Sequence, residues 1–321
     1  MEMKAMLGRI RRMVSTATQA AKYTPAAYRT IARGNEPGTG PKDWFSGIDD
    51  EAWFWMNTAG VRMHPKLGRL VAKMPDASMQ ANYTGLSGDS TLREGYEAYR
   101  VFKRHYEARL GPIENCRGIL DFGCGWGRII RFFLKDVRAN KLVGVDHSEE
   151  GIQVCKGTNS WCSFELIDPS PPMPMAAGSF DLIYLYSVFS HLPEHMHWAL
   201  LEEFHRLLVP GGVLIATTRE RDFIKFCKTV RDDPRLQEKP EWHRALAKVF
   251  VNVDGALADY DSGQFCYESH HVEGRWSFWG EACIPKTYVE RRWSEILELC
   301  DYIDDREVCV QNVIVARKRP A

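Results

Sequence analysis

Residues 120–128 read LDFGCGWGR, an apolar run and an aspartate followed by three glycines in five positions. A turn that bare lets the main chain come close to a ligand, and after a strand it lies at the carboxyl edge of a sheet, where such folds bind. Dinucleotide sites use G-x-G-x-x-G, with a helix N-terminus facing a pyrophosphate. Here the order is Gly123-Cys124-Gly125-Trp126-Gly127, and Trp126 and Arg128 crowd the spot where a pyrophosphate needs small residues. Asp146 follows Gly123 by 23 residues, at the tip of the next expected strand, where a carboxylate can accept both hydroxyls of a ribose. Loop and acid together point to an adenosine ligand without a diphosphate.

Other residues offer proton chemistry. The segment SVFSHLPEHMH supplies His191, Glu194, His195 and His197. His191 is nearest the tip of the preceding strand and is the first candidate general base, with capping of its own loop as the alternative. His195 and His197 fall on the following helix, exposed or packed. His270 and His271 come second, inside an aromatic run with Tyr267, Trp276 and Trp279. Those rings could wall a pocket for a planar or apolar acceptor, or fill a small satellite core. Tyr83, Thr84 and Gly85 could close over the ligand from the N-terminal side.

These groups need elements to position them. Strands are expected at 118–122, 141–145, 161–167, 180–186 and 213–217. Helices are expected through 129–135, after Ser148 as a cap, and near 194–208 behind Pro193. That alternation means right-handed crossovers and a parallel sheet with helices on both faces. Ahead of it, residues 34–50 read as a linker and Trp53-Phe54-Trp55 opens a buried helix. Residues 74–90 read as irregular, and Thr91-x-x-Glu94 has capping-box form for a helix over 91–110. Beyond Thr218, helices are expected near 222–231 and 241–250 and from Pro285 to about residue 300, then strands at 302–304 and 308–317.

At this point the chain resembles the class I S-adenosylmethionine-dependent methyltransferases. ILDFGCGWGR, VGVDHS, SFDLIYLYSVFSHLPE and LLVPGGVLIATT fall within 118–218 in the family's order, and IPKTYVERRWSEILEL with VQNVIVARKR is similar to the closing helix and strand pair. The resemblance implies a doubly wound, Rossmann-like α/β fold: a seven-stranded, mostly parallel sheet whose last strand is antiparallel. The division is then 1–110 as a helical extension, 111–218 as the cofactor-binding core, 219–284 as a substrate lid, and 285–321 as the closing helix and strands. By the same resemblance, Asp121, Gly123, Gly125 and Gly127, with Cys124 and Arg128 in the loop, would line the methionine end of S-adenosyl-L-methionine. Asp146, beside His147, would hold the ribose. Asp168 would sit near the adenine amino group, or merely form a turn before Pro169. Ser187, Val188 and Phe189 would flank the transferable methyl.

Methyl transfer from a sulfonium is an in-line displacement, followed by proton removal when the acceptor is neutral. The expected function is methyl transfer to an oxygen, or next a nitrogen, of a small-molecule acceptor. A protein or glycan acceptor and a non-catalytic binding protein are the alternatives; a nicotinamide oxidoreductase is the weakest rival. Methyltransferases of DNA bases carry an N/D-P-P-Y/F turn where this chain has Tyr186-Ser187-Val188-Phe189.

The whole chain bounds these readings. Forty-two basic residues balance forty-two acidic ones in 321, so no net positive field favours nucleic acid. Nine cysteines include no C-x-x-C pair, which reads as reduced thiols in a cytoplasmic protein without a structural metal. No run approaches the length of a transmembrane helix. Met3, Met6, Leu7, Ile10, Val14, Ala17 and Ala21 recur at helical spacing beside Arg9, Arg12 and Lys22. Such a helix within residues 1–30 could touch an anionic membrane surface, or pack on its own domain or on a second subunit of a homo-oligomer.

Overall fold

The structure, a computed structural model, describes residues 2–238, 243–270 and 278–320, the first fifteen of these (2–16) by backbone alone. Its centre is strand β1 (Ile119–Phe122), buried at all four residues as a strand covered on both faces must be. Around it lie β2 (Leu142–Asp146), β3 (Ser163–Leu166), β4 (Phe180–Leu185) and β5 (Leu208–Thr218), followed by β6 (Cys266–Ser269), β7 (Gly280–Cys283), β8 (Glu298–Ile303) and β9 (Asn312–Arg317). Seven form one sheet in the order β3-β2-β1-β4-β5-β9-β8, and β6 and β7 pair separately. Strands β1 to β5 run parallel, while β9 lies antiparallel between β5 and β8. The chain reverses direction across the sheet between β1 and β4, with Asp121 level with Gly144 on one side and Tyr184 on the other. Open α/β sheets bind ligands at such a switch point, outside the carboxyl ends.

Two apolar layers cover the sheet. One joins Ile119, Leu142, Leu182 and Val313 to the N-terminal extension through Trp53, Tyr96, Phe102 and Phe132. The other packs Leu120, Ile183 and Leu214 against Phe204, Leu207 and Trp293. The insertion has a satellite core of its own around Phe223, Ile224, Leu246 and Phe250.

Several elements depart from the pattern read in the sequence, for identifiable reasons. Residues 130–135 form a 3₁₀ helix, not an α-helix. The Trp53 indole donates to the Phe132 carbonyl (2.9 Å), the acceptor an α-helix would offer Asp136, whose amide turns to Phe133 instead. The long helix runs Asp89–Leu110 with Gly88 as its N-cap, so Thr91 and Glu94 lie inside it. Thr91 Oγ1 bonds Thr84 Oγ1 at 3.0 Å, and Glu94 is recruited elsewhere. The stretch read as irregular contains a helix, Ala77–Thr84, capped by Asp76 Oδ1 on the Met79 amide (2.9 Å) and closed by Gly85 at φ +71°. The final helix stops at Arg292, with a short turn Trp293–Glu295, because 298–303 leaves to pair with β9 as an edge strand. Between residues 253 and 283 the insertion adds a helix, Val253–Asp261, and the β6–β7 hairpin.

The first helix runs Glu2–Arg33. Its Tyr23, Ala26, Ala27 and Thr30 are buried against the body of the protein, whereas Ala17 and Ala21 of the apolar stripe are exposed. Among the described residues, no helix is long and apolar enough to cross a membrane.

Candidate functional site

A cavity of about 680 Å³ opens where the loops after β1, β2, β4 and β5 converge. Its floor is the glycine loop. The amides of Gly123 and Cys124 both donate to the Val145 carbonyl, at 2.8 and 3.0 Å, tying the loop to β2. Gly123 sits at φ +76°, and a Cβ there would lie 2.4 Å from Val188 Cγ2, so only glycine fits. Gly125, at φ +54°, donates its amide to Asp146 Oδ2 at 2.8 Å.

Asp146 lines the cavity and is 5% exposed. Its Oδ1 accepts the Ser148 amide at 2.8 Å, and Ser148 Oγ in turn accepts from Gly151, capping the helix Glu149–Thr158. Each carboxylate oxygen keeps lone-pair capacity beyond these contacts, which is what two ribose hydroxyls require. At the inner end, Asp121 is buried and its Oδ2 has no hydrogen-bond partner. Burial, reinforced by the Asp146 carboxylate, pushes the Asp121 carboxyl up to about 7, a cost that a cationic ligand group would relieve. Tyr83 roofs the loop: its ring would lie 3.0 Å from a Cβ on Gly125, and its hydroxyl donates to Ser148 Oγ at 2.8 Å. An adenosine bearing a cationic tail therefore fits the residues present.

The other wall comes from β4, β5 and β7. Ser187, which follows β4, has φ +59°, unusual for a residue with a Cβ; its amide donates to Thr217 Oγ1 (2.7 Å) and its hydroxyl accepts from Gln311 Nε2 (3.0 Å). His191 stacks on Trp279, ring centroids 4.6 Å apart and 8° from parallel. Its Nδ1 lies 2.9 Å from the Gly280 carbonyl, which can only accept, so Nδ1 carries the proton and Nε2 is left basic. Behind it Glu281, 2% exposed, has Oε1 3.4 Å from both His191 Nδ1 and His270 Nε2, and Oε2 3.5 Å from Arg219 Nε. Burial alone would raise the Glu281 carboxyl; the surrounding His191, His270 and Arg219 overcome it and hold the group well below the usual carboxylate range.

Of the residues singled out in the sequence, Asp121, Gly123, Cys124, Gly125, Arg128 and Asp146 line the cavity. So do His147, Ser187, Val188, His191, His270, Tyr83 and Trp279. Four do not. Gly127, at φ +77°, lies against Cys155 and Phe164 beneath the loop. Phe189 is fully buried in the second apolar layer, 4.1 Å from the His197 ring. Tyr267 spends its hydroxyl on the Phe278 carbonyl (2.6 Å). Asp168 is exposed and accepts from the Ser170 amide at 3.0 Å, the turn before Pro169, while its neighbours Ile167 and Pro169 line the cavity. His271 and Trp276 lie outside the described residues. His197 is packed, its Nε2 accepting from Trp293 Nε1 at 2.9 Å.

Sequence reasoning missed Glu94, Arg219 and Glu281. Glu94 Oε1 accepts from Tyr186 (2.7 Å) and Arg128 (3.3 Å), and this cluster lines the cavity. Its sequence signal, a glutamate three residues after a threonine, points to a helix start. Arg219 directly follows LLVPGGVLIATT, which does mark the edge of the site. A lone glutamate in an aromatic run carried no signal. Among the described residues, no three His, Cys, Asp or Glu side chains are grouped to hold a metal.

Residues 119–212 match the family described as a methyltransferase domain. The sheet order, the loop and the match together are those of the class I S-adenosylmethionine-dependent methyltransferase fold. The chain is similar to a trans-aconitate 2-methyltransferase of Azoarcus, 31% identical over 106 residues, covering 32% of this chain and 39% of that protein. It is also similar to a malonyl-acyl-carrier protein O-methyltransferase of Legionella pneumophila, 25% identical over 185 residues, covering 54% and 55%. The matches thus span only about 39% and 55% of these relatives' lengths. Among solved structures, an S-adenosylmethionine-dependent methyltransferase from Mesorhizobium loti aligns with a TM-score of 0.42 and 14% identity, covering 68% of this chain and 97% of that one.

Proposed function

We propose that this protein transfers a methyl group from S-adenosylmethionine to an oxygen, or alternatively a nitrogen, of a small molecule. The observation that carries the reading is that Asp146 and the bare glycine loop share one cavity with the basic nitrogen of His191. When bound, S-adenosylmethionine supplies an electrophilic methyl whose bond to sulfur breaks, the electron pair staying on sulfur, as the acceptor's lone pair bonds to the methyl carbon. The chain's own residues do the rest. Asp146 fixes the ribose and Asp121 faces the cationic end. Val188 and Ser187 hold the β4 edge of the cavity in one shape. His191 Nε2 takes the acceptor's proton, its ring plane set by Trp279 and its tautomer by the Gly280 carbonyl. Tyr83 and Trp279 exclude water from opposite halves of the cleft. The name of one similar protein, trans-aconitate 2-methyltransferase, supports a small acceptor.

Isothermal titration with S-adenosylmethionine tests the cofactor half. Asp146→Ala removes two ribose contacts and the anchor of the Gly125 amide, so binding should weaken by about 100-fold. No binding by the native protein, with Asp146→Ala no worse, would end the proposal. Incubating a cell extract with tritiated methyl donor then assigns the acceptor: label in the small-molecule fraction supports it, and label confined to macromolecules overturns it.

A further inference from the structure

Arg219 follows β5, lines the cavity and is mostly buried. Its guanidinium lies 4.5 Å over the Phe223 ring, and its Nε stands 3.5 Å from Glu281, too far for a good hydrogen bond. The Nε is buried without a hydrogen-bond partner, and none of the Arg219 donors has one among the described residues. Three other arginines packed into the body each place at least one donor, although the Arg131 Nε also lacks a partner. Arg128 donates to the Thr91 carbonyl and Glu94, Arg131 to the Lys73 carbonyl, and Arg231 to carbonyls of residues 247, 249 and 250. Arg219 differs from these three in placing no donor on a described residue, and burying a guanidinium unpaired is costly.

Its neighbours repeat the pattern. His270 Nε2, 3.4 Å from Glu281 Oε1, is buried without a partner, and so is Glu281 Oε2. One carboxylate thus faces Arg219, His191 and His270, each side-chain contact 3.4–3.5 Å long. Glu281 is enough to keep these side chains in place but does not saturate them. The wall has donors to spare, all bordering the cavity.

We propose that the methyl acceptor is a carboxylic acid whose carboxylate docks on Arg219, with His270 as second donor, while its reacting atom faces His191. This rests on the function proposed above and deepens it. The planar fork of an arginine matches a carboxylate in a way a single lysine cannot. A phosphate would bring nearly twice the negative charge against the fixed Glu281 carboxylate, with only one guanidinium to offset it. The gripped carboxylate is the anchor and not the methylated group, because the Arg219 cation draws electron density from any oxygen it binds. Arg219, His270 and Glu281 all lie beyond the residues 119–212 that match the methyltransferase domain.

The test titrates the protein, with and without S-adenosylhomocysteine, with a set of small hydroxy acids and dicarboxylates, their matched primary amides, and methyl phosphate. At least one carboxylate should bind and its amide should bind about tenfold more weakly, the loss expected for one charge-assisted hydrogen bond. Arg219→Lys, which keeps the charge and loses the fork, should lower carboxylate affinity about tenfold with S-adenosylhomocysteine affinity unchanged, which also certifies folding. The proposal falls if no carboxylate binds, if amides bind as tightly, if methyl phosphate binds more tightly than every carboxylate, or if Arg219→Lys is silent. Failure of S-adenosylhomocysteine to bind strikes the methyl-transfer reading instead, and the titration without it still decides the carboxylate site.

Discussion

The two halves of the cavity are built from different materials. On the cofactor side the chain presents mostly main chain: glycines at positive φ, amides pinned to the Val145 carbonyl, and a carboxylate that accepts from two backbone amides, with the His147 ring 3.4 Å away. On the side proposed for the acceptor it presents side chains, with His191, His270, Arg219 and Glu281 gathered around a stacked tryptophan. A main-chain cradle suits a ligand that never changes, since its geometry is set by the turn itself. A wall of titratable side chains can be re-specified by single substitutions, which suits whatever molecule is being modified.

The sharpest way to break that division is His191→Ala. If the acceptor wall does the chemistry, turnover should fall about 100-fold or more, the usual worth of a positioned base. S-adenosylmethionine affinity should stay within about twofold, because the Asp146 contacts are untouched. Single-turnover rates together with calorimetric affinities separate the two quantities. Equal turnover in variant and native protein would remove His191 as the base and leave the wall a binding surface only.

Asp121→Asn probes the cofactor side, where one titratable group does intrude. The folded protein holds this carboxyl at about 7 against an ordinary value of 3.8, so the ionised form is the disfavoured one. Stability contributed by the neutral acid is complete below the ordinary value and is lost as pH rises through 7. At pH 8 the asparagine variant without ligand should therefore be more stable, by about 2 kcal/mol, and its stability should vary less between pH 4 and 7. If Asp121 faces the cationic end of S-adenosylmethionine as proposed, the cofactor should bind about tenfold more weakly to the variant. The two effects have opposite signs. Denaturation midpoints across that pH range check the first, and a variant less stable at pH 8 would refute it.

How much of this was legible follows the same line. The cofactor half could be read because its information is local. The loop, Asp146 and the Ser148 cap fall within a few residues of their strands, and the alternation of strands and helices dictates the sheet. The acceptor half was legible only where a residue lay beside a strand tip, as His191 does. Glu281 reaches His191 through a hairpin far along the chain, and nothing near either residue encodes that meeting. Local patterns also misled when a distant partner outbid them. Glu94 follows Thr91 at the spacing of a cap, yet Arg128 and Tyr186 claim it, and the Trp53 indole takes a carbonyl that an α-helix after the glycine loop would have used.

The smallest expected effect tests whether the cofactor side is as free of side-chain chemistry as its floor suggests. Tyr83 covers Gly125 with its ring and reaches Ser148 with its hydroxyl, and the side chain is 39% exposed. An exposed neutral hydrogen bond contributes about 0.5–1 kcal/mol, so Tyr83→Phe should speed cofactor release only about threefold. Tyr83→Ala removes the ring that shields the loop and should speed release by about tenfold or more. Stopped-flow fluorescence from Trp126 and Trp279, both on the cavity wall, reads each rate. Equal rates for the two variants would mean that closure rides on the hydroxyl. The roof would then belong with the side-chain wall, and the line between the two halves would have to be redrawn through Ser148.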